Sequence, residues 1–259
     1  MNYDFHAHRV HDYAHLVQRW RKVCRAARLR CEVFSSAGGF ELIYARSPRL
    51  TKVGGKGIYL SAGIHGDEAA GSEALLFWAE LHAPILKELP LLLFPCLNPW
   101  GLVRNQRFDS EGRDLNRCYH LDDPPQIKHQ KEIITGCRFS LSLCLHEDYD
   151  AQGVYLYEVK KRRTALGQEL LAAAGYYVPV DLRKTIEGRR AAQGLIARRT
   201  KNLKGAPLMS EALFLALSDS DRTFTIETPS EYDLSARVQA HVAVIQRAIE
   251  LTYHVTANG

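Results

Sequence analysis

Residues 63–71 read Gly-Ile-His-Gly-Asp-Glu-Ala-Ala-Gly and set His65 and Glu68 three positions apart, behind the apolar run 57–62 and ahead of a leucine-rich stretch. A hydrolytic zinc centre needs three protein ligands and an open position for water, and two histidines with one carboxylate are such a set. At a strand-to-helix junction, residues three apart lie on one side of the first turn, so His65 and Glu68 can point at a common ion. Gly66 permits close approach of the backbone to a ligand. A third ligand must come from elsewhere. His146, 81 residues beyond His65, closes the apolar run 139–145 and is not explained by surface periodicity. Each residue also has an ordinary reading: Asp67 and Glu68 as first-turn acids that complement a helix dipole, and His146 as a hydrogen-bonded core histidine.

Spacing by itself decides little, because a His-x-x-Glu pair arises by chance about once in a chain of this composition. A second copy, His129 and Glu132, lies in the stretch 126–134, where Ile127, Ile133 and Ile134 recur at helical spacing. The solvated face of a surface helix accounts for it. The histidines near the N-terminus, His6, His8, His11 and His15, precede or enter the pattern Tyr13, Leu16, Val17, Trp20, Val23. That pattern predicts an amphipathic first helix with the histidines on its exposed side.

The elements that would position these residues follow from the pattern. Gly38-Gly39 between two runs rich in strand formers predicts a hairpin over about 31–48. Strand-length apolar runs then alternate with helical segments: a strand at 57–62 and a helix over 68–83, then a strand near 90–97 and a polar loop from 98 to about 123. A helix over 124–134 with prolines at its start is followed by strands at 139–147 and 153–159. A helix closed by Gly175, a strand at 223–229 and a final helix from about 233 to 254 complete the order. Near-continuous apolar strands alternating with helices predict an α/β fold, a three-layer α/β/α sandwich around a mixed, largely parallel sheet. In such sheets the ligand site lies beyond the carboxyl ends of the strands. His65, Asn98, His146 and Glu227 all fall at such ends.

A chain of 259 residues, 46% hydrophobic and 24% charged, suits one large globular domain spanning 1–259, with a helix and hairpin over 1–50 ahead of a core over 55–254. No run approaches the length of a membrane span. The polar, histidine-rich N-terminus lacks the form of a secretory signal, so a cytoplasmic location is expected. Six scattered cysteines without a C-x-x-C pair predict reduced, mostly buried thiols. The net charge of +5 is concentrated: residues 183–204 hold eight cationic side chains against Glu187 alone, leaving the rest of the chain slightly acidic. Without interleaved aromatic residues, that segment argues against a nucleic-acid partner.

The stretch from Asn98 to Arg117 supplies Asn98, Pro99 and Gly101, then Arg107, Asp109, Gly112, Asp114, Leu115, Asn116 and Arg117. In this register it resembles the zinc carboxypeptidase family of peptidases in its bacterial form, with Asp109 where that family usually has asparagine. His65 and Glu68 before it, and His146 and Glu227 after it, keep the same order, over roughly residues 55–250. The resemblance implies one zinc ion per chain on His65, Glu68 and His146, with Glu227 as general base. It implies that Arg107 stabilises the oxyanion and that Asn116 and Arg117 hold a terminal carboxylate, for which a guanidinium offers paired hydrogen bonds.

Two departures qualify this. No tyrosine occurs between Tyr177 and Glu227, where many members carry a mobile one, so Tyr155, Tyr157 or Tyr232 would have to substitute. The related aspartoacylase and succinylglutamate desuccinylase branch carries a further C-terminal domain, whereas 32 residues follow Glu227 here. The implied activity is therefore a metallocarboxypeptidase or peptide amidase, with a deacylase of N-acyl amino acids as the alternative. The expected partner is a small peptide or acyl amino acid, and the basic segment suggests an acidic one. No serine-hydrolase elbow or phosphate-binding loop is present.

Overall fold

The computed structural model describes residues 9–52, 55–160, 166–199, 208–218 and 220–253. Helix α1 (Tyr13–Ala26) starts where the Asp12 side chain accepts the His15 N–H at 2.9 Å, which satisfies one of the donors a helix start leaves open. Tyr13, Leu16, Trp20 and Val23 form its buried stripe. His15 is only half-buried, and His11 precedes the helix, its Nδ1 lying 2.7 Å from the Leu102 carbonyl. His6 and His8 lie outside the described residues. Strands β1 (Arg30–Ala37) and β2 (Phe40–Arg46) form the expected hairpin. Gly38 and Gly39 both have positive φ, which a tight hairpin turn requires.

Strand β3 (Gly57–Ala62) leads to α2 (Ala69–Leu81), and β4 (Leu91–Phe94) leads to α3 (Pro99–Arg104). Helix α4 (Pro125–Ile134) precedes β5 (Phe139–Asp148) and β6 (Tyr155–Lys160), which is followed by α5 (Gly167–Ala174). A two-stranded hairpin, β7 (Thr185–Ile186) and β8 (Arg189–Arg190), comes before β9 (Leu195–Arg199). Then follow α6 (Glu211–Leu217), β10 (Arg222–Pro229) and α7 (Leu234–Tyr253).

Eight strands form one sheet in the order β1-β2-β4-β3-β5-β10-β6-β9, and the central four, β4, β3, β5 and β10, run parallel. One face packs on α1, α2, α5 and α7 around Trp20, Trp78, Leu143 and Ile245. The other packs on α4 and α6 around Tyr59, Phe94, Phe139 and Leu215. Burying a side chain of this size contributes about 1.5–3 kcal/mol, and two such layers hold the parallel strands from both sides. The three-layer fold is the one expected. All six cysteines are free thiols, Cys31 alone being only partly buried.

Three expectations need correction. The segment 98–123 is not all loop: the Asn98 side chain accepts the Gly101 N–H at 3.0 Å, and with Pro99 in the first turn it starts α3. A capping asparagine followed by proline was a readable start signal, obscured by the charged residues that follow. No strand was expected between Gly175 and residue 223, yet the stretch 183–199 carries β7, β8 and the edge strand β9. Strands of two residues are too short to show a period. His129 is half-buried, with Nδ1 3.0 Å from Ser35 Oγ, while Glu132 faces solvent. This second His-x-x-Glu pair therefore splits between two environments.

Candidate metal centre and cleft

The parallel strands bring their ends to one edge. His65 lies in the loop after β3, His146 near the end of β5 and Glu227 near the end of β10. Glu227 stands in register with His146 on one side and with Tyr155 of β6 on the other. Asn98, after β4, reaches the same edge but serves the scaffold. It caps α3, and its Nδ2 donates to the carbonyls of Arg107 and Phe108, fixing the loop that carries Arg107.

His65, Glu68 and His146 are all buried, and one ligand atom from each lies within 4.8 Å of the others. Glu68 Oε1 is 2.5 Å from His65 Nδ1, and Oε2 is 2.7 Å from His146 Nδ1. Both imidazoles thus turn the same nitrogen toward one carboxylate. Behind His65, Nε2 faces Asp114 Oδ1 at 3.2 Å, a carboxylate contact that fixes tautomer and ring orientation in metal-ligating histidines. Burial opposes the charged form of Glu68, but His65 and His146 outweigh it and hold the carboxyl well below its usual range. Burial likewise opposes protonation of His65, yet Glu68 and Asp114 raise it to about 9. Anionic oxygen between two nitrogen donors favours a cation at this spot, and the donor set fits zinc.

Glu68 occupies the N-cap position of α2 but makes no side-chain capping bond. Glu147, from β5, does that work: its Oε1 accepts the Ala70 N–H at 2.7 Å, and its other oxygen pairs with Arg237 of α7. The first-turn-acid reading of Glu68 therefore fails. Gly66 does make a close backbone approach, but to α3: a Cβ there would lie 2.0 Å from the Gly101 carbonyl carbon.

Arg107 donates through Nε and Nη2 to Asp114 Oδ2, at 3.3 and 3.1 Å, and through Nη1 to Glu68 Oε1 at 3.4 Å. Asp109 accepts the N–H groups of Glu111 and Arg113, both at 2.9 Å, and pairs with the Arg113 guanidinium. A buried carboxylate with those partners closes the loop tightly, which accounts for aspartate at this position. Asn116 is buried, and its Oδ1 accepts the Glu211 N–H at 2.9 Å, leaving its amide NH2 as the remaining donor. Arg117 is exposed, and its Nη1 donates to the Asn116 carbonyl at 3.0 Å.

A cleft of about 450 Å³ brings together all seven expected residues: His65, Glu68, Arg107, Asn116, Arg117, His146 and Glu227. Desolvation pushes the Glu227 carboxyl well up against the pull of His146, and Glu68, Glu187 and Asp148 reinforce the rise. Tyr155 and Tyr157 also line the cleft, donating to Asp148 at 2.8 Å and to Glu187 at 2.5 Å. Tyr232 instead packs against the core. Of the basic segment, Arg189 and Arg198 reach the cleft, whereas Arg183 is tied to Asp181. Lys201 and Lys204 lie outside the described residues. Sequence reasoning missed Asp114 and Glu147 as supports, although each sits beside an expected residue, Asp114 within the Asp-Leu-Asn-Arg motif and Glu147 next to His146.

Solved structures share this arrangement of strands and helices. A candidate metallopeptidase from Shewanella denitrificans superposes with a TM-score of 0.82 at 24% identity, covering 94% of this chain and 91% of its own. A metallo-carboxypeptidase from Burkholderia cenocepacia gives 0.69 at 14% identity, covering 94% of this chain and 69% of its own. One from Pseudomonas aeruginosa, in complex with (2-guanidinoethylmercapto)succinic acid, gives 0.61 at 19% identity, over 92% and 68%. The fold is that of the zinc carboxypeptidases. In sequence, the model of the succinylglutamate desuccinylase/aspartoacylase catalytic domain matches residues 54–135. A curated relative, "Probable carboxypeptidase 2" of Arthroderma benhamiae, is 28% identical over 100 residues, which span 35% of this chain and 18% of that protein. Over residues 54–135 the chain is thus similar to the succinylglutamate desuccinylase/aspartoacylase catalytic domain, and over most of its length it shares the fold of the carboxypeptidase-like structures.

Proposed function

We propose that this hydrolytic metalloenzyme is a zinc carboxypeptidase, cleaving a peptide or amide bond next to a free carboxylate. The observation that carries the reading is the cleft itself, which holds the buried His65, Glu68 and His146 trio, Glu227 in register with His146, and Arg107 and Arg117 beside them. Zinc at the trio would supply Lewis acidity and, by lowering the pKa of water to about 7, a nucleophile at neutral pH. Glu227 would accept a proton from the attacking water and pass it to the leaving amine. It must do so in its ionised form, which burial opposes and which a cation held by His65, Glu68 and His146 would favour. Arg107, held by Asp114, offers guanidinium hydrogens to the oxygen on which charge develops. The Asn116 amide and Arg117 receive the substrate's terminal carboxylate. Burial of His65, Glu68 and His146 lowers the effective dielectric around the trio, which strengthens the charge interactions made there.

The second reading, a zinc deacylase of N-acyl amino acids, is favoured by the family whose model matches residues 54–135. A panel of benzoyl-dipeptides and N-acyl amino acids separates the two. The test of the shared chemistry is Glu227→Gln. It should retain about one zinc per chain and lose about a hundredfold or more in kcat. Full activity in that variant would remove Glu227 from the mechanism. Failure of the wild-type protein to bind zinc, or its binding with no hydrolysis of either substrate class, would overturn the reading.

A further inference from the structure

The cleft has a basic wall that the proposed chemistry does not use. Strand periodicity sets Tyr155, Tyr157 and Val159 of β6 on one face of the sheet with Thr225 and Glu227 of β10. Arg198 of β9 is in register with Val159 and lines the same cleft. That register puts it four residues along the strand direction from Glu227, roughly 13 Å. Arg189 joins it from β8, just after the Glu187-Gly188 turn whose positive φ angles form the tip of the β7–β8 hairpin.

Four other arginines around the site are ion-paired, whereas Arg117, placed at the substrate's terminal carboxylate, contacts the Asn116 carbonyl. Arg107 has Asp114 and Glu68, Arg113 has Asp109 and Asp123, Arg183 has Asp181, and Arg237 has Glu147. Arg198 is half-buried and has no carboxylate in ion-pair range among the described residues. Glu187 is the nearby acid lining the wall, and it accepts the Tyr157 hydroxyl at 2.5 Å. Burial and the neighbouring Arg189 both weigh against the charged guanidinium of Arg198. Two neighbouring cations, Arg198 half-buried and Arg189 exposed, repel each other until an anion enters between them.

We propose that Arg198, assisted by Arg189, receives the side-chain carboxylate of an aspartate or glutamate residue whose α-carboxylate sits at Asn116 and Arg117. This rests on the carboxypeptidase reading above and names its preferred substrate class, peptides with an acidic C-terminal residue. A guanidinium pairs with a carboxylate through two parallel hydrogen bonds, which a neutral carboxamide of the same shape cannot match. Glutamate against glutamine is therefore the discriminating comparison.

The test uses the zinc-loaded protein with benzoyl-Gly-Glu, benzoyl-Gly-Gln and benzoyl-Gly-Leu. The wild type should prefer Glu to Gln by about tenfold or more in kcat/KM. Arg198→Gln should collapse that ratio, mainly through a higher KM for the Glu substrate. Arg198→Lys should keep part of it, and Arg190→Gln, on the hairpin but outside the cleft, should leave it intact. Thermal melting of each variant verifies folding. Hydrolysis with equal Glu and Gln rates, or a ratio unchanged in Arg198→Gln, overturns this inference and leaves the carboxypeptidase reading standing. If none of the peptides is hydrolysed, that reading fails, and calorimetric binding of L-glutamate and L-glutamine decides the inference alone. Tighter binding of glutamate that Arg198→Gln abolishes supports it, and equal binding overturns it.

Discussion

Glu147 and Glu68 divide between them what one carboxylate commonly does at a helix start. Glu147 Oε1 accepts the Ala70 N–H at 2.7 Å, and Glu68, at the N-cap position of α2, is thereby left to bridge the two imidazoles. Glu147 is fully buried at its side chain and pairs with Arg237, itself mostly buried. Glu147→Ala removes both a cap and half of a buried ion pair, and should destabilise the fold by about 3 kcal/mol or more. Glu147→Gln keeps an acceptor for Ala70 and should cost less. Urea unfolding of the two variants checks the order; equal losses would mean that the helix cap is not what Glu147 supplies.

Asp114 touches both His65 and Arg107. Asp114→Asn should weaken zinc binding by about ten- to a hundredfold, since the imidazole loses the carboxylate that orients it. Zinc titration against a competing chelator measures the change. His129→Ala with Glu132→Ala, the other His-x-x-Glu pair, should leave zinc affinity as it was.

Gly66→Ala should be among the more damaging small substitutions. Its Cβ would lie 2.0 Å from the Gly101 carbonyl carbon and 2.3 Å from the Leu102 nitrogen, both backbone atoms of α3 that cannot swing aside. Forced overpacking of this kind costs about 1–3 kcal/mol, and here it also pushes the loop carrying His65 away from β5. A lowered melting temperature together with reduced zinc content would be the signature.

His241 of α7 is fully buried, with Nε2 3.0 Å from Thr228 Oγ1. Burial, reinforced by the charges of His146 and Arg237, lowers its pKa from 6.5 to about 3. The unfolded chain takes up a proton below pH 6.5 and the folded chain does not. Stability from this residue is therefore complete above pH 6.5 and declines as pH falls from 6.5 toward 3, by about 1.4 kcal/mol per pH unit. Denaturant unfolding between pH 7 and pH 5 should show that slope, and His241→Asn should flatten it.

Much of this molecule was readable from its residues because the signals were local. The runs at 57–62, 139–147 and 223–229 are apolar over strand length and stand between helical patterns, and they became β3, β5 and β10. The loop motif from Asn98 to Arg117 carried its register in the chain itself. Short elements were not legible: β7 and β8 span two residues each, and α3 lay hidden in a charged stretch.

The sequence by itself determined which residues could bind a metal and in what order they occur, since side-chain chemistry and spacing are properties of the chain. Its periodicity set His129 and Glu132 on a surface helix and favoured His65 and Glu68, but it could not show that His146 meets them. That depended on parallel pairing of β3, β5 and β10, which carries His146 to Glu68 across 78 residues while His129 packs on Ser35. Nor could it say which of eight neighbouring cations face the cleft. Alternation along β9 and the turn of the β7–β8 hairpin direct Arg198 and Arg189 inward, and Asp181 holds Arg183 aside. Register and pairing are set by contacts between distant segments, and such contacts exist only once the chain has folded.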